Sequence, residues 1–220
     1  YLQLNICQQA ARDSGMAIGL INDLAVGCAG DGSEFKSQNE LFAENAHVGA
    51  PPDPWAEHGQ NWGLPALNPQ KLSKDNFAFY RSLIRANMED VGGLRIDHVM
   101  AIRRLWWCFE NNSQQDGCYV YYPFEQLLAV LKIESHLNQC VVIGEDLGVV
   151  PNEVRESLKA SAIYSNGLFY FEKDYQGEFL AAEHFAPHSL LMIANHDVPP
   201  FKGWWIGHDI TIKQQYGLLD

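Results

Sequence analysis

Short apolar runs that end in charged or amide residues recur along the chain, and stretches of helical spacing lie between them. Met16 to Ile21 reads as a buried strand ending near Asp23, and Leu94 to Ile96 carries Arg95 and ends in Asp97. Cys140 to Gly144 ends in Glu145-Asp146, Leu168 to Phe171 makes a fourth strand, and Leu190 to Ala194 a fifth ending in Asn195-His196-Asp197. Leu4 to Ser14 predicts a helix closed by Gly15, and Ser73 to Val91 a second, with Ser73 as cap and Phe77, Tyr80, Ile84 and Met88 on one stripe. Pro123 opens a helix to about Asn138 that buries Leu127, Leu128 and Leu131, Pro151 opens another to about Ala162, and Asp209 caps a last one. Residues 25–72 show little periodicity and are expected to form a long active-site loop or inserted subdomain, and 103–116 reads as irregular.

Alternating strands and helices predict an α/β fold with a parallel sheet whose strands deliver polar groups at their C-terminal ends. That is the rim on which a (β/α)8 barrel builds its site. About five strand-helix units are legible, so residues 1–220 are expected to supply part of a catalytic TIM barrel. The start at Tyr1 and the end at Asp220 inside a helical pattern point the same way. A doubly wound sheet is the alternative, but no glycine-rich dinucleotide or Walker sequence follows any strand.

Composition narrows the chemistry. With 47% hydrophobic and 19% charged residues the chain is that of a globular protein, and its net charge of -12 argues against nucleic acid or an anionic membrane as partner. No apolar run approaches the ~20 residues that span a bilayer. Five scattered cysteines without a C-x-x-C pair argue against a zinc site or disulfide framework, and a cytoplasmic location is the expectation.

The strand ends then offer three carboxylates in different settings. Arg95 and Asp97 leave a strand on the same face, and a neighbouring cation favours the ionised carboxylate that a nucleophile needs. Seen alone, the same pair reads first as a structural ion pair closing a strand. Glu145 follows four apolar residues and a glycine, where desolvation favours its protonated form and suits a general acid. Asp197 has His196 beside it and Asn195 in phase. Two carboxylates with separated proton affinities fit glycosidic bond cleavage, and the third can hold sugar hydroxyls. Metal binding by Asp97-His98, Glu145-Asp146 or His196-Asp197 is the rival chemistry, although adjacent strand residues face opposite ways and no ligand motif is present. Trp55, Trp62, Trp106, Trp107, Tyr119, Tyr121, Tyr122, Trp204 and Trp205 suit sugar faces, with core packing expected for most, especially one of each tandem pair.

Taken together, Gly93-Leu94-Arg95-Ile96-Asp97-His98, Ile143-Gly144-Glu145-Asp146-Leu147-Gly148 and Asn195-His196-Asp197 resemble the ordered catalytic motifs of the 4-α-glucanotransferases, or amylomaltases, of the α-amylase-like clan. Gly49-Ala50-Pro51-Pro52-Asp53 with Gly59-Gln60-Asn61-Trp62-Gly63-Leu64-Pro65 is similar to the long active-site loop of that family. Asp23-Leu24-Ala25-Val26-Gly27 resembles its bacterial maltose-utilisation branch. The resemblance implies retaining transfer of α-1,4-glucan segments between malto-oligosaccharides, with glucose often released and no metal or organic cofactor. It implies Asp97 as nucleophile, Glu145 as acid/base and Asp197 as transition-state stabiliser, with Arg95 and His196 around the sugar and Asp31, Asp53 and Trp62 as substrate contacts. Relatives usually carry threonine near the positions of Val198-Pro199-Pro200, a departure expected to touch loop packing. An α-glucan hydrolase and a catalytically inactive glucan-binding fragment are the alternatives. Oligomeric state does not follow from the sequence.

Overall fold

The computed structural model describes residues 2–53, 56–110, 112–113, 116–148 and 150–219. The chain divides into two compact units, 1–163 and 164–220. In chain order the first contains α1 (Leu2–Asp13), β1 (Ile21–Leu24), α2 (Ser33–Ser37), β2 (Phe42–Ala50), β3 (Gln60–Leu67), α3 (Pro69–Lys74) and α4 (Ala78–Met88). It continues with β4 (Gly93–Ile96), β5 (Arg104–Phe109), β6 (Cys118–Tyr121), α5 (Phe124–Asn138), β7 (Val141–Gly144) and α6 (Asn152–Ala160).

Parallel pairing joins β1 to β4 and β4 to β7, with Ile21 opposite Gly93 and Gly93 opposite Val141. Every residue of β4 is buried, as expected of a parallel strand covered on both faces. Leu94, Ile96 and Val142 meet Ile84 and Met88 of α4, Leu127 and Leu131 of α5, and Val154 and Leu158 of α6 in one core. A bidentate ion pair ties the two longer helices: Arg85 donates from Nε to Glu134 Oε2 at 2.9 Å and from Nη2 to Oε1 at 2.7 Å. Gly92 lets the chain enter β4 against the segment that leads from α1 into β1, because a Cβ there would overlap the carbonyl oxygen of Ile18.

Several expected elements differ. The first strand starts only at Ile21, and Met16 and Ile18 are exposed. Gln8 holds this approach segment, its amide donating to Ile18 O at 3.0 Å and its carbonyl accepting from Leu20 N at 2.7 Å, so no strand ladder is needed there. Ser73 is not a cap. Asn68 caps α3 by accepting from the amides of Gln70 and Lys71, the chain turns at left-handed Asn76 and Phe77, and Asp75 accepts from Phe79 N to start α4. Tyr80, Ile84 and Met88 still form the buried stripe.

The largest correction concerns 25–72 and 103–116, which are not irregular throughout. They supply strands to a four-stranded antiparallel sheet of order β3-β2-β5-β6. Tyr122 donates to Leu67 O at 2.6 Å and accepts from Trp107 Nε1 at 3.3 Å, pinning β3 and β5 to the entry of α5. Trp107 is therefore a core residue, while Trp106 packs edge-on against Tyr119. Trp55 lies outside the described residues.

The second unit pairs β8 (Tyr164–Leu168) with β9 (Ser189–Met192) in parallel, followed by α7 (Phe201–Trp205) and α8 (His208–Gln215). The fourth strand thus precedes the predicted one, and Phe169–Phe171 is a 3-10 turn that places Phe169 face to face with Phe179 at 4.8 Å. Asp209 lies in the first turn of α8, whose cap position is Gly207. Among the described residues no helix is long and apolar enough to cross a membrane.

Candidate functional site

The parallel register sets Asp23 beside Arg95 and Ile96 beside Gly144. The ladder then continues past the strand ends: Asp97 N donates to Leu24 O, Glu145 N to Ile96 O and Val99 N to Glu145 O, each at 2.9 Å. Asp97 and Glu145 are therefore neighbours in register, and both project from the face that Arg95 shares. Gly144 allows the turn after β4 to fold over β7, since a Cβ there would lie 2.9 Å from the Val99 side chain.

Arg95 is the buried centre of this group. Its Nη1 donates to Asp23 Oδ1 at 2.8 Å and to Asp97 Oδ1 at 3.1 Å. Side-chain exposure is 5% for Arg95 but 28% for Asp97, so the cation is covered while the carboxylate can meet a ligand. Burial works against the guanidinium charge, but hydrogen bonds and attraction from Asp23 and then Asp97 outweigh it and raise its pKa. The same-face pairing expected from the sequence is present. Asp23 as the second partner was not among the predicted site residues.

Glu145 is held by two backbone donors, His98 N to Oε2 at 2.9 Å and Leu147 N to Oε1 at 2.7 Å. Burial pushes its pKa up, the two backbone donors oppose that, and nearby Asp97 adds to the rise while Arg95 lessens it. The desolvated setting read from the apolar run before Glu145 is thus present. His98 leaves β4 in a left-handed conformation (φ 47°), and burial lowers its pKa against the pull of Asp97. The Trp62 ring stands edge-on to the His98 ring at 5.7 Å, and its Nε1 donates to Gln60 Oε1 at 3.0 Å. Trp62 of β3 is thereby linked to the residue between Asp97 and Val99, a relation that spacing alone does not reveal.

The remaining predicted residues are dispersed. Asp31 lies in an exposed turn before α2. Asp53 closes a turn, its Oδ1 accepting from Ala56 N. His196 and Asp197 belong to the second unit, after β9. There Asn195 Nδ2 donates to Asp197 Oδ2 and Asp197 N donates to Asn195 Oδ1, both at 3.0 Å, and His196 Nε2 lies 3.5 Å from Asp197 Oδ1. Among the described residues no group of three or more His, Cys, Asp or Glu side chains is arranged to hold a metal ion.

A strand-end pair of half-buried carboxylates, one ion-paired to an arginine and the other raised in pKa by desolvation, on parallel strands with intervening helices, defines an α/β protein with the arrangement used in glycosidic chemistry. Residues 1–218 match the family model described as 4-alpha-glucanotransferase, and the chain belongs to that family. It is 42% identical over 218 residues to the 4-alpha-glucanotransferase of Haemophilus influenzae, covering 99% of this chain and 31% of that protein. It is 33% identical to that of Mycobacterium tuberculosis, covering 99% and 30%. The chain thus spans about a third of the length of these curated relatives. The crystal structure of amylomaltase from Corynebacterium glutamicum matches with a TM-score of 0.94 at 33% identity, over 100% of this chain and 31% of that one. An amylomaltase from Streptococcus agalactiae shares the fold at a TM-score of 0.81 and 22% identity, over 98% and 45%.

Proposed function

We propose that the protein carrying this chain transfers α-1,4-glucan segments between malto-oligosaccharides by a retaining double displacement. Membership of the family supports the reading, and the observation that carries it is the pairing on adjacent strand ends of Asp97, ion-paired to buried Arg95, with Glu145, whose pKa desolvation raises. In the first step the Asp97 carboxylate attacks the anomeric carbon, the glycosidic bond breaks, and the leaving oxygen takes the Glu145 proton. In the second, Glu145 takes the proton of an incoming 4-hydroxyl, whose oxygen attacks the anomeric carbon and releases Asp97. Asp197 stabilises the transition state in this scheme. Arg95 and His196 hold the sugar of the cleavage subsite, and Asp31, Asp53 and Trp62 contact the substrate more peripherally. The reaction requires no metal or organic cofactor.

Within residues 25–72, the part around Trp55 and Trp62 acts as the wall that keeps water from the covalent intermediate while an acceptor is bound. The product pattern from maltotriose tests the whole reading in the intact protein. Transfer yields longer malto-oligosaccharides together with glucose, hydrolysis yields only shorter sugars, and a binding module leaves maltotriose unchanged. Asp97→Asn and Glu145→Gln each lower turnover by about 100-fold or more. Either variant with full activity would overturn the roles assigned here.

A further inference from the structure

A cavity of about 440 Å³ opens on the antiparallel sheet, beside the half of the β2-β3 hairpin farther from Trp62. Its origin is a break in the ladder. From Phe42 to His47 strand β2 advances five residues while its partner advances two, from Leu67 to Pro65, so three extra residues of β2 bow outward. Asn45 at the bow is left-handed (φ 56°), and its carbonyl oxygen accepts from Glu110 N at 3.0 Å. The volume is that of a small-ligand site.

The lining has a consistent chemistry. Phe35 and Phe42 meet edge to face at 5.0 Å and give the cavity an aromatic wall, and Glu40, Glu44 and Glu110 supply carboxylate oxygens. Lys71 also lines it, with its ammonium group donating to Phe42 O at 2.8 Å. Three carboxylates against one ammonium disfavour phosphate or any other anionic ligand. Rings that offer an apolar surface, surrounded by strong hydrogen-bond acceptors, suit a neutral ligand with many hydroxyl donors on an apolar frame.

We infer that this cavity is a second carbohydrate site, holding a short stretch of an α-glucan away from Asp97 and Glu145. The inference rests on the glucan reading proposed above. Such a site lowers KM for long chains, which can reach both places, and leaves turnover of a short donor unchanged.

Calorimetry with maltoheptaose on the intact Asp97→Asn protein provides the test, with Phe35→Ala and Glu44→Gln added singly. Two classes of site are expected, and each added variant weakens one class by about 10-fold while the other keeps its affinity. Glu44 is exposed, so Glu44→Gln reports even where loss of the Phe35 ring disturbs folding. With Asp97 restored, both variants raise KM for long glucans several-fold at unchanged kcat on maltotriose. A single class of site that neither variant alters would overturn the inference and leave the catalytic reading intact. Absence of any maltoheptaose binding would remove both.

Discussion

The ends of β4 and β7 and the end of β9 both present carboxylates, but they are supported in different ways. Asp97 and Glu145 are fixed by groups from three strands: a buried arginine that also grips Asp23, and backbone amides from the turns after β4 and β7. Asp197 is held by its own neighbours Asn195 and His196, and 63% of its side chain is exposed. Groups that must hold one reacting geometry gain from a rigid shell built across the sheet, whereas a residue that binds hydroxyls can be ordered by a local turn and by its ligand.

Loss of Asp23 should break this difference most strongly. Asp23→Asn removes one charge-assisted partner from buried Arg95, an interaction worth about 1.5–3 kcal/mol, and kcat is expected to fall roughly 10- to 100-fold. KM should change little if Asp23 acts through Arg95 instead of touching sugar, and steady-state kinetics on maltotriose separates the two. Asn195→Ala perturbs an exposed pair, so the expected loss is about 2- to 10-fold, consistent with an ordinary hydrogen bond of about 0.5–1.5 kcal/mol. An Asn195 effect as large as that of Asp23 would erase the contrast.

The pH profile sharpens it further. In the proposed mechanism Glu145 donates only while protonated, so kcat/KM is expected to fall as pH rises through its free-enzyme pKa, and burial moves that limb above the ordinary glutamate range. The linked stability effect has the matching sign. A carboxyl whose folded pKa is raised stabilises the fold relative to the ionised form, and that contribution is lost as pH climbs from the unfolded toward the folded value. Glu145→Gln should therefore flatten the alkaline dependence of stability as well as abolish the limb in residual activity.

Much of the parallel sheet is legible in the sequence because buried strands read as apolar runs, and each run announces its end with a charged or amide residue. Asp97 and Glu145 follow from that pattern, as do the helices that start at Phe124 and Asn152 after prolines. The antiparallel sheet is hidden for identifiable reasons. In β2 the bow around Asn45 destroys the two-residue alternation, and β3 carries left-handed Gly63 and Pro65 where regular strands carry branched residues. The grip of Asp23 on Arg95 spans 72 residues of chain, and the meeting of Trp62 with His98 joins two sheets. Neither relation leaves a local signal, although β1 ending in a carboxylate, like its neighbours, is a hint of the first.

The central claim is that Asp97 bonds to the anomeric carbon while Glu145 handles the proton. Maltotriosyl α-fluoride has a leaving group that needs no acid, so Glu145→Gln protein should still form the glycosyl intermediate and then stall for want of a base. Mass spectrometry of the intact, rapidly quenched protein should show one added maltotriosyl unit, and peptide mapping should place it on Asp97. A unit found on Asp197 or Asp23, or fluoride release with no covalent adduct at any time, would contradict the account.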